Sequence, residues 1–299
     1  MTGDHEPRAG GHDPIPQVFF FPGILGDVPA LARFRHAFSG RIRFETVSYP
    51  SWQAMLRAGG GFDRLVELAC EDILALPPQR PLRLAGYSFG AVVALALAIR
   101  LAAEGRRVDW LAALDTDLEH YLGSPRRAAW ASPTLAESVN RIRQHGLTRA
   151  GAQATARVVG SLGLRALLRR LTTRRGATSL PFGPLSFGPL SFGFPPLHRL
   201  PSRMDAQVQW TQRVDIMAAW LRARPREAPG IPVTLFRTAD HPDTATHDLG
   251  WSGVSPRVAV HAVDGDHWTM FTRRHELALT ATFTSACLDA CELASLSWA

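Results

Sequence analysis

Short apolar segments alternate with longer helical segments along most of this chain. The strand-like segments are QVFFFPGI, RIRFETVSY, LRLAGYS, VDWLAALDTD, PVTLFRTAD and RVAVHAVDGDH, short apolar runs rich in β-branched and aromatic residues. Helical patterns lie between several of them, including FDRLVELACEDILAL and the apolar segment from Gly90 to about Gly105, and a last helix is predicted from about Arg274 to Leu293. Parallel strands need long crossover connections, usually helices. The alternation therefore predicts an α/β fold, a mostly parallel sheet with helices on both faces.

The alternation stops between residues 121 and 227. This segment contains helical stretches, the low-complexity repeat LPFGPLSFGPLSFGFPP and an amphipathic helix near AQVQWTQRVDIMAAWLRAR. Because the prolines and glycines of the repeat are incompatible with a helix or a central strand, we expect a mainly helical insertion that acts as a lid. The predicted organisation is a disordered tail over 1–16, a core over 17–120 and 228–299, and a lid over 121–227.

Positive charge is concentrated in the middle of the chain. The net charge is +7, and between residues 125 and 225 arginines far outnumber the acidic residues Glu137, Asp205 and Asp215. Such a region favours an acidic partner. Neither basic residues interleaved with aromatic ones nor zinc-ligand spacing accompanies the charge, so we do not expect the partner to be nucleic acid.

The sequence has few features of a secreted or membrane protein. No run of about 18–20 uninterrupted apolar residues occurs, and the polar segment MTGDHEPRAGGHDP lacks the apolar centre of a signal peptide. The cysteines Cys70, Cys287 and Cys291 form a sparse, odd set, which is typical of a reducing compartment. We expect a cytoplasmic protein without stable membrane insertion.

Ser88 lies between two glycines where a predicted strand meets a predicted helix. In Gly86-Tyr87-Ser88-Phe89-Gly90, a sharp strand-to-helix turn leaves no room for side chains two residues before and two residues after the serine. This turn exposes the serine hydroxyl above the sheet, and the N–H of Phe89 at the helix N-terminus can stabilise an oxyanion. The pattern predicts that Ser88 is a nucleophile and Phe89 an oxyanion-hole donor.

A serine nucleophile needs a general base near neutral pH. His267 follows the last predicted strand, from which its loop can reach back over the sheet edge to Ser88. The order of nucleophile and histidine along the chain also fits a hydrolase. The other histidines, His241 among them, lack this position after a strand. His267 is therefore the predicted base.

The histidine in turn needs a carboxylate that orients it. Asp115 and Asp240 each follow a predicted strand, at the carboxyl edge of the sheet where catalytic groups gather. The pattern alone does not separate these two candidates. Asp117 and Asp243 are weaker candidates, because they are better explained as helix caps or solvated loop charges.

Five segments together resemble one family. FFFPGILG, GYSFG, LAALDT, IPVTLFR and DGDHWTMF, in this order, resemble the thioesterase domains that release products from nonribosomal peptide and polyketide synthetases. The resemblance covers about residues 17–120 and 228–290 and implies the α/β-hydrolase fold. It implies that the acid is Asp115, in the Leu-Asp-Thr stretch, and that the N–H of Ile24 is the second oxyanion donor. The Pro-Gly-Ile loop differs from the His-Ala-Gly-Gly type loop of free-standing editing thioesterases, which favours the product-releasing type.

The resemblance also implies a reaction. An acyl, polyketide or peptidyl chain arrives as a thioester on the phosphopantetheine arm of a carrier protein, and Ser88 takes it as an acyl-serine. Hydrolysis, or transfer to a hydroxyl or amine with cyclisation as one outcome, then releases the chain. No cofactor or metal of the enzyme's own is expected. A serine esterase or lipase acting on free esters is the alternative, and a non-catalytic binding protein is disfavoured by Ser88, Asp115 and His267.

The arginine-rich lid is a candidate docking surface for that carrier protein. Segment 162–175, LGLRALLRRLTTRR, is a basic amphipathic helix pattern. Because carrier proteins are typically acidic, this face suits one of them. A solvated lid helix that packs on the core is the alternative interpretation.

Overall fold

The computed structural model of the chain describes residues 15–38, 40–78, 80, 82–119, 202–223, 230–241 and 245–296. Almost all of the predicted tail, the arginine-rich segment 162–175, the Leu-Ser-Phe-Gly repeat and Asp243 lie outside the described residues. The predicted boundaries of the lid therefore stay a prediction.

Six parallel strands form one sheet in the described part of the chain. They are β1 (Gln17–Phe21), β2 (Arg43–Thr46), β3 (Leu82–Tyr87), β4 (Val108–Leu114), β5 (Val233–Arg237) and β6 (Val258–Ala262). Their order is β2-β1-β3-β4-β5-β6, and every neighbouring pair is parallel. The α/β prediction is confirmed, and each strand-like segment of the sequence contains one of these strands.

Helices cover both faces of the sheet, as a parallel sheet requires. They are α1 (Pro29–His36), α2 (Trp52–Ala58), α3 (Phe62–Ala69), α4 (Glu71–Leu74), α5 (Phe89–Ala103), α6 (Ser202–Ala223) and α7 (Glu276–Leu296). The segment predicted as one helix, FDRLVELACEDILAL, forms two, because Cys70 leaves helical geometry at φ −115° and ψ 15°. Val66, Cys70 and Ile73 are all buried around this break, so the change of direction keeps both short helices against the core.

Two apolar clusters lie on opposite faces of the sheet, and β1 contributes alternate residues to each. Phe19 and Phe21 face the cluster with α2, α3, α5 and α6, whereas Val18 and Phe20 face the cluster with α1 and α7. This period of two follows from strand geometry. Because both faces are buried, the strand reads as an uninterrupted apolar run in the sequence.

One helix of the described part, α7, is long and apolar enough to cross a membrane by length and composition. Its residues 276–294 have a mean hydropathy of 1.2. Leu279, Phe283 and Cys287 of this helix are buried in the cluster on the α1 face of the sheet. Packing against the sheet accounts for these buried side chains, whereas Leu277, Leu288 and Leu293 of the same helix are exposed.

Candidate active site

The turn from β3 to α5 holds Ser88 in an unusual backbone conformation. Ser88 has φ 54° and ψ −120°, a combination that costs free energy in a residue with a side chain. A Cβ atom at Gly86 would lie 2.3 Å from the Ala91 nitrogen, and one at Gly90 would lie 2.0 Å from the Phe21 oxygen. Both glycines are therefore required by close backbone contact, as the sequence pattern predicts. The Ser88 hydroxyl does not cap α5, so it is not used as an ordinary helix-start serine.

Asp115 lies beside Ser88 at the end of the neighbouring strand. Tyr87 pairs with Leu114 in the β3–β4 register, so Ser88 and Asp115 are the next residues on the two strands. The Ser88 N–H donates to the Leu114 carbonyl at 3.1 Å. The Thr116 hydroxyl donates to the Ser88 carbonyl at 3.2 Å. The sheet itself therefore brings the serine and the carboxylate together.

Asp115 contacts the imidazole of His267. Asp115 Oδ2 lies 2.8 Å from His267 Nδ1. The ring of Tyr87, next to Ser88, stacks on the imidazole with centroids 4.9 Å apart, and its hydroxyl donates to the His267 carbonyl at 2.5 Å. Because Asp115 engages Nδ1, Nε2 is the ring nitrogen left for proton exchange. Ser88 makes no side-chain hydrogen bond to the described residues, and such contacts often tighten only with substrate bound.

Asp240 lies nearby but does not contact the imidazole. Its carboxylate accepts a hydrogen bond from the Thr238 hydroxyl, and its Oδ2 accepts the backbone N–H of His267 at 3.4 Å. Of the two strand-end carboxylates predicted from the sequence, Asp115 alone engages the His267 ring. The geometry therefore favours Asp115, the residue that the family resemblance implied.

Hydrogen bonds keep the Asp115 carboxylate ionised although it is buried. Its Oδ1 lies 2.9 Å from the Thr238 N–H, 2.7 Å from the Thr238 hydroxyl and 2.9 Å from His241 Nε2. Burial alone raises the pKa of Asp115, but the hydrogen bonds from His241, His267 and Thr238 outweigh it and hold the pKa well below its usual range. The site therefore carries a fixed negative charge beside His267.

The two predicted oxyanion donors flank the turn. Phe89 begins α5, and the first N–H groups of a helix have no partner within it. Ile24 lies in a turn closed by the Gly26 N–H, which donates to the Gly23 carbonyl at 2.8 Å. This loop touches the start of α5, because a Cβ at Gly90 would also lie 2.4 Å from the Pro22 oxygen. The loop after β1 and the start of α5 thus adjoin each other at the nucleophile turn.

His241 is a residue of the site that the sequence pattern did not identify. It follows β5 by four residues, and both of its ring nitrogens face carboxylates. Nε2 lies 2.9 Å from Asp115 Oδ1, and Nδ1 lies 3.7 Å from Asp117 Oδ2. The hydrogen bond to Asp115 and the negative charge of Asp117 raise the pKa of His241 to about 9. Its place after a strand, in TADHPD, was the signal that could have identified it.

Asp115, Asp240 and His241 also form a group of possible metal ligands. Their ligand atoms lie within 4.8 Å of one another. However, Asp115 Oδ1 already accepts the Thr238 N–H, and Asp240 accepts the Thr238 hydroxyl. We therefore interpret the three side chains as a hydrogen-bonded network.

The structure combines three features: a parallel sheet, a strained serine between glycines, and a carboxylate–histidine pair at the same edge of the sheet. Together they define an α/β-hydrolase. The thioesterase domain family matches residues 16–179, more than half of the chain. The chain belongs to the thioesterase domain family. Membership implies hydrolase activity. No curated protein sequence matches the chain.

Solved structures with the same fold include thioesterase domains of biosynthetic enzymes. The Vlm2 thioesterase domain bound with a dodecadepsipeptide has a TM-score of 0.53 and 19% identity, covering 91% of this chain and 92% of that one. RedJ thioesterase from the prodiginine pathway of Streptomyces coelicolor has a TM-score of 0.54 and 17% identity, covering 94% and 91%. AB3403, a four-domain nonribosomal peptide synthetase, has a TM-score of 0.56 and 13% identity, covering 90% of this chain but 19% of its own length. These similarities confirm the predicted α/β-hydrolase fold and the resemblance to synthetase thioesterase domains.

Proposed function

We propose that this chain is a thioesterase that releases an acyl, polyketide or peptidyl chain from the phosphopantetheine thioester of a carrier protein. The observation that carries the proposal is the Asp115–His267 pair, held at the sheet edge beside the strained Ser88. Family membership supports thioester chemistry. Ser88, Asp115 and His267 are a nucleophile, an acid and a base, and they follow one another along the chain in the order of an α/β-hydrolase catalytic triad.

In the proposed mechanism, His267 accepts the proton of the Ser88 hydroxyl while the serine oxygen attacks the thioester carbonyl. The N–H groups of Ile24 and Phe89 stabilise the oxyanion, each contributing about 3 kcal/mol. The C–S bond then breaks, and His267 returns the proton to the departing thiolate. The acyl group remains as an ester on Ser88.

The second half of the proposed reaction releases the chain. His267 takes a proton from water, or from a hydroxyl or amine of the substrate, and that group attacks the acyl-serine carbonyl. The Ser88 oxygen leaves with the proton from His267. Water yields a free acid, and an internal nucleophile yields a ring.

Two similar proteins support a carrier-bound substrate. The Vlm2 domain is bound with a dodecadepsipeptide, and AB3403 is a multidomain nonribosomal peptide synthetase. We propose by analogy that this chain accepts its acyl group from a carrier protein, with the arginine-rich segment 162–175 as the docking surface. The phosphopantetheine belongs to the carrier, and the chain needs no cofactor of its own.

Intact mass spectrometry tests the proposal directly. The wild-type protein is incubated with a panel of acyl-cysteamine and acyl-pantetheine thioesters, and the released thiol is measured in parallel. We expect a mass increase equal to the acyl group less one hydrogen, which Ser88→Ala abolishes together with thiol release. Circular dichroism of Ser88→Ala serves as the control for folding.

Two results would contradict the proposal. One is an unchanged rate of thiol release by Ser88→Ala. The other is turnover of simple esters without any turnover of thioesters, which would identify the chain as an esterase.

A further inference from the structure

We propose that His241 is a positioning residue of the site, a cation that holds the second oxygen of Asp115 and opposes a second positive charge on His267. The inference rests on the proposed function, because it assigns His267 as the base. It adds a regulatory charge to the site: His241 sets the pH range in which the base is available.

The hydrogen bonds around Asp115 include one from His241 that the other donors do not replace. The hydroxyl of Thr238 has one proton but lies within hydrogen-bond distance of both Asp115 Oδ1 and Asp240 Oδ1. It therefore cannot satisfy both carboxylates at once. His241 Nε2, at 2.9 Å, is the second side-chain donor to Asp115 Oδ1. Asp115 is thus held on one oxygen by His241 and on the other by His267.

The surroundings of His241 favour its charged form. Among the residues that the structure describes, the titratable groups around it are Asp115 and Asp117 from the loop after β4, Asp240 from its own loop and, across Asp115, His267 from the loop after β6. A nitrogen 2.9 Å from a carboxylate oxygen must carry a proton, and the second nitrogen faces Asp117. With a side chain only 12% exposed, His241 is weakly screened by solvent. The raised pKa of His241, about 9, agrees with this environment.

A positive charge on His241 disfavours protonation of His267, the proposed base. The two imidazoles lie on opposite oxygens of one carboxylate, so a positive charge on one disfavours a positive charge on the other. His241 therefore counteracts part of the stabilisation that Asp115 offers to protonated His267. Loss of the His241 charge should therefore favour the protonated form of His267.

The same geometry excludes His241 as the base itself. Both ring nitrogens face carboxylates, Asp115 and Asp117, so neither is free for Ser88. His267 differs, because Asp115 engages only its Nδ1. Two histidines share one carboxylate, and of the two only His267 retains a ring nitrogen that can exchange a proton with Ser88.

His241→Gln tests the proposal, because its amide can still donate to Asp115 but carries no charge. The pH dependence of kcat/KM with a thioester substrate is the measurement. We expect the midpoint of the acid limb to move upward by about one pH unit. His241→Leu, which removes the hydrogen bond as well, should also lower kcat by about tenfold. His247→Gln, an exposed histidine of the following segment, is the matched control and should leave the profile unchanged.

A second readout does not depend on turnover. In the Ser88→Ala protein with 13C-labelled histidine, NMR titration should show one ring that titrates near pH 9. Adding His241→Gln should remove that signal and shift the titration of one other histidine upward. If thioesters are not substrates, the proposed function fails while this titration still decides the role of His241.

Two outcomes would overturn the inference. The first is an acid limb at the same pH in wild type and His241→Gln. The second is the absence of any histidine that titrates above about pH 8 in the Ser88→Ala protein, since the proposed charge would then be missing at neutral pH.

Discussion

Two of the strained backbone positions in the described residues lie at the candidate site. Three non-glycine residues of the described part have positive φ angles, and two of them are Ser88 at 54° and Asp115 at 48°. Such conformations persist where the surrounding structure holds them, and they cluster at functional sites. Hydrogen bonds between neighbouring strands do this here, because the Asp115 N–H donates to the Phe236 carbonyl at 2.8 Å. The two strained residues carry their side chains to the same edge of the sheet, where that of Asp115 is buried.

Replacing each carboxylate in turn with an amide distinguishes Asp115 from Asp240 as the catalytic acid. Asp115→Asn should lower the rate of thiol release by about 10³ to 10⁴-fold, because the amide loses the charge and can fix the wrong tautomer of His267. Asp240→Asn should lower it by less than about tenfold, since Asp240 contacts only the backbone N–H of His267. Single-turnover kinetics with one thioester measures both. A larger loss in Asp240→Asn would refute the assignment of Asp115.

At the scale of elements, α6 holds the loop that carries Ile24. Arg213 of this helix is buried, donates to the Ile24 carbonyl at 2.5 Å and to the Pro50 carbonyl at 3.2 Å, and lies over the ring of Tyr49. Burial lowers the pKa of Arg213 to about 10, so the guanidinium stays charged at neutral pH. Tyr49 in turn donates to the Pro22 carbonyl at 2.8 Å. A helix distant in the sequence thereby orients a predicted oxyanion-hole loop.

Arg213→Met should disturb that loop. We expect kcat to fall by at least about tenfold, because a misplaced Ile24 N–H stabilises the oxyanion less well. Arg222→Met, an exposed arginine of the same helix, is the matched control and should retain wild-type kcat. Steady-state kinetics with one thioester is the measurement. Equal kcat values for the two variants would show that α6 does not position the loop.

At the scale of the whole molecule, the sheet is assembled from two separated parts of the chain. β4 pairs with β5, and the Trp110 indole donates to the Thr234 hydroxyl at 2.8 Å across that pairing. Phe283 of α7 packs against Phe34 and Trp110, with ring centroids 5.8 and 5.2 Å apart. Each part therefore covers apolar surface of the other. We expect the described residues to unfold as one cooperative unit.

Splitting the chain tests this expectation. A fragment of residues 1–201 lacks α6, β5, β6 and α7, so the β4 edge and both faces of the sheet lose part of their cover. The fragment should show no cooperative urea transition in circular dichroism, and adding the fragment 202–299 should restore one. The intact chain provides the reference curve. A cooperative transition of fragment 1–201 alone would show that the first part folds independently.

The local pattern of the sequence was enough to predict the strands and the nucleophile turn. Short apolar strands and the helical segments between them can be recognised from near neighbours in the chain. Gly86 and Gly90 likewise reflect a steric limit within the turn itself. The break at Cys70 was not predicted, because the helical period continues through it. The helix ends there because the two short helices pack against the core in different directions. A local sequence pattern carries no information about that packing.

The choice between Asp115 and Asp240, and the parts played by His241 and Arg213, were decided only by the tertiary structure. Each depends on which side chains meet after strands far apart in the chain become neighbours. Asp115 and His267 are 152 residues apart in sequence and 2.8 Å apart in space. The sequence by itself determined which residues can do the chemistry, since that follows from residue type and local turn. Their partners were set by the order of strands in the sheet, because strand order determines which loops share an edge.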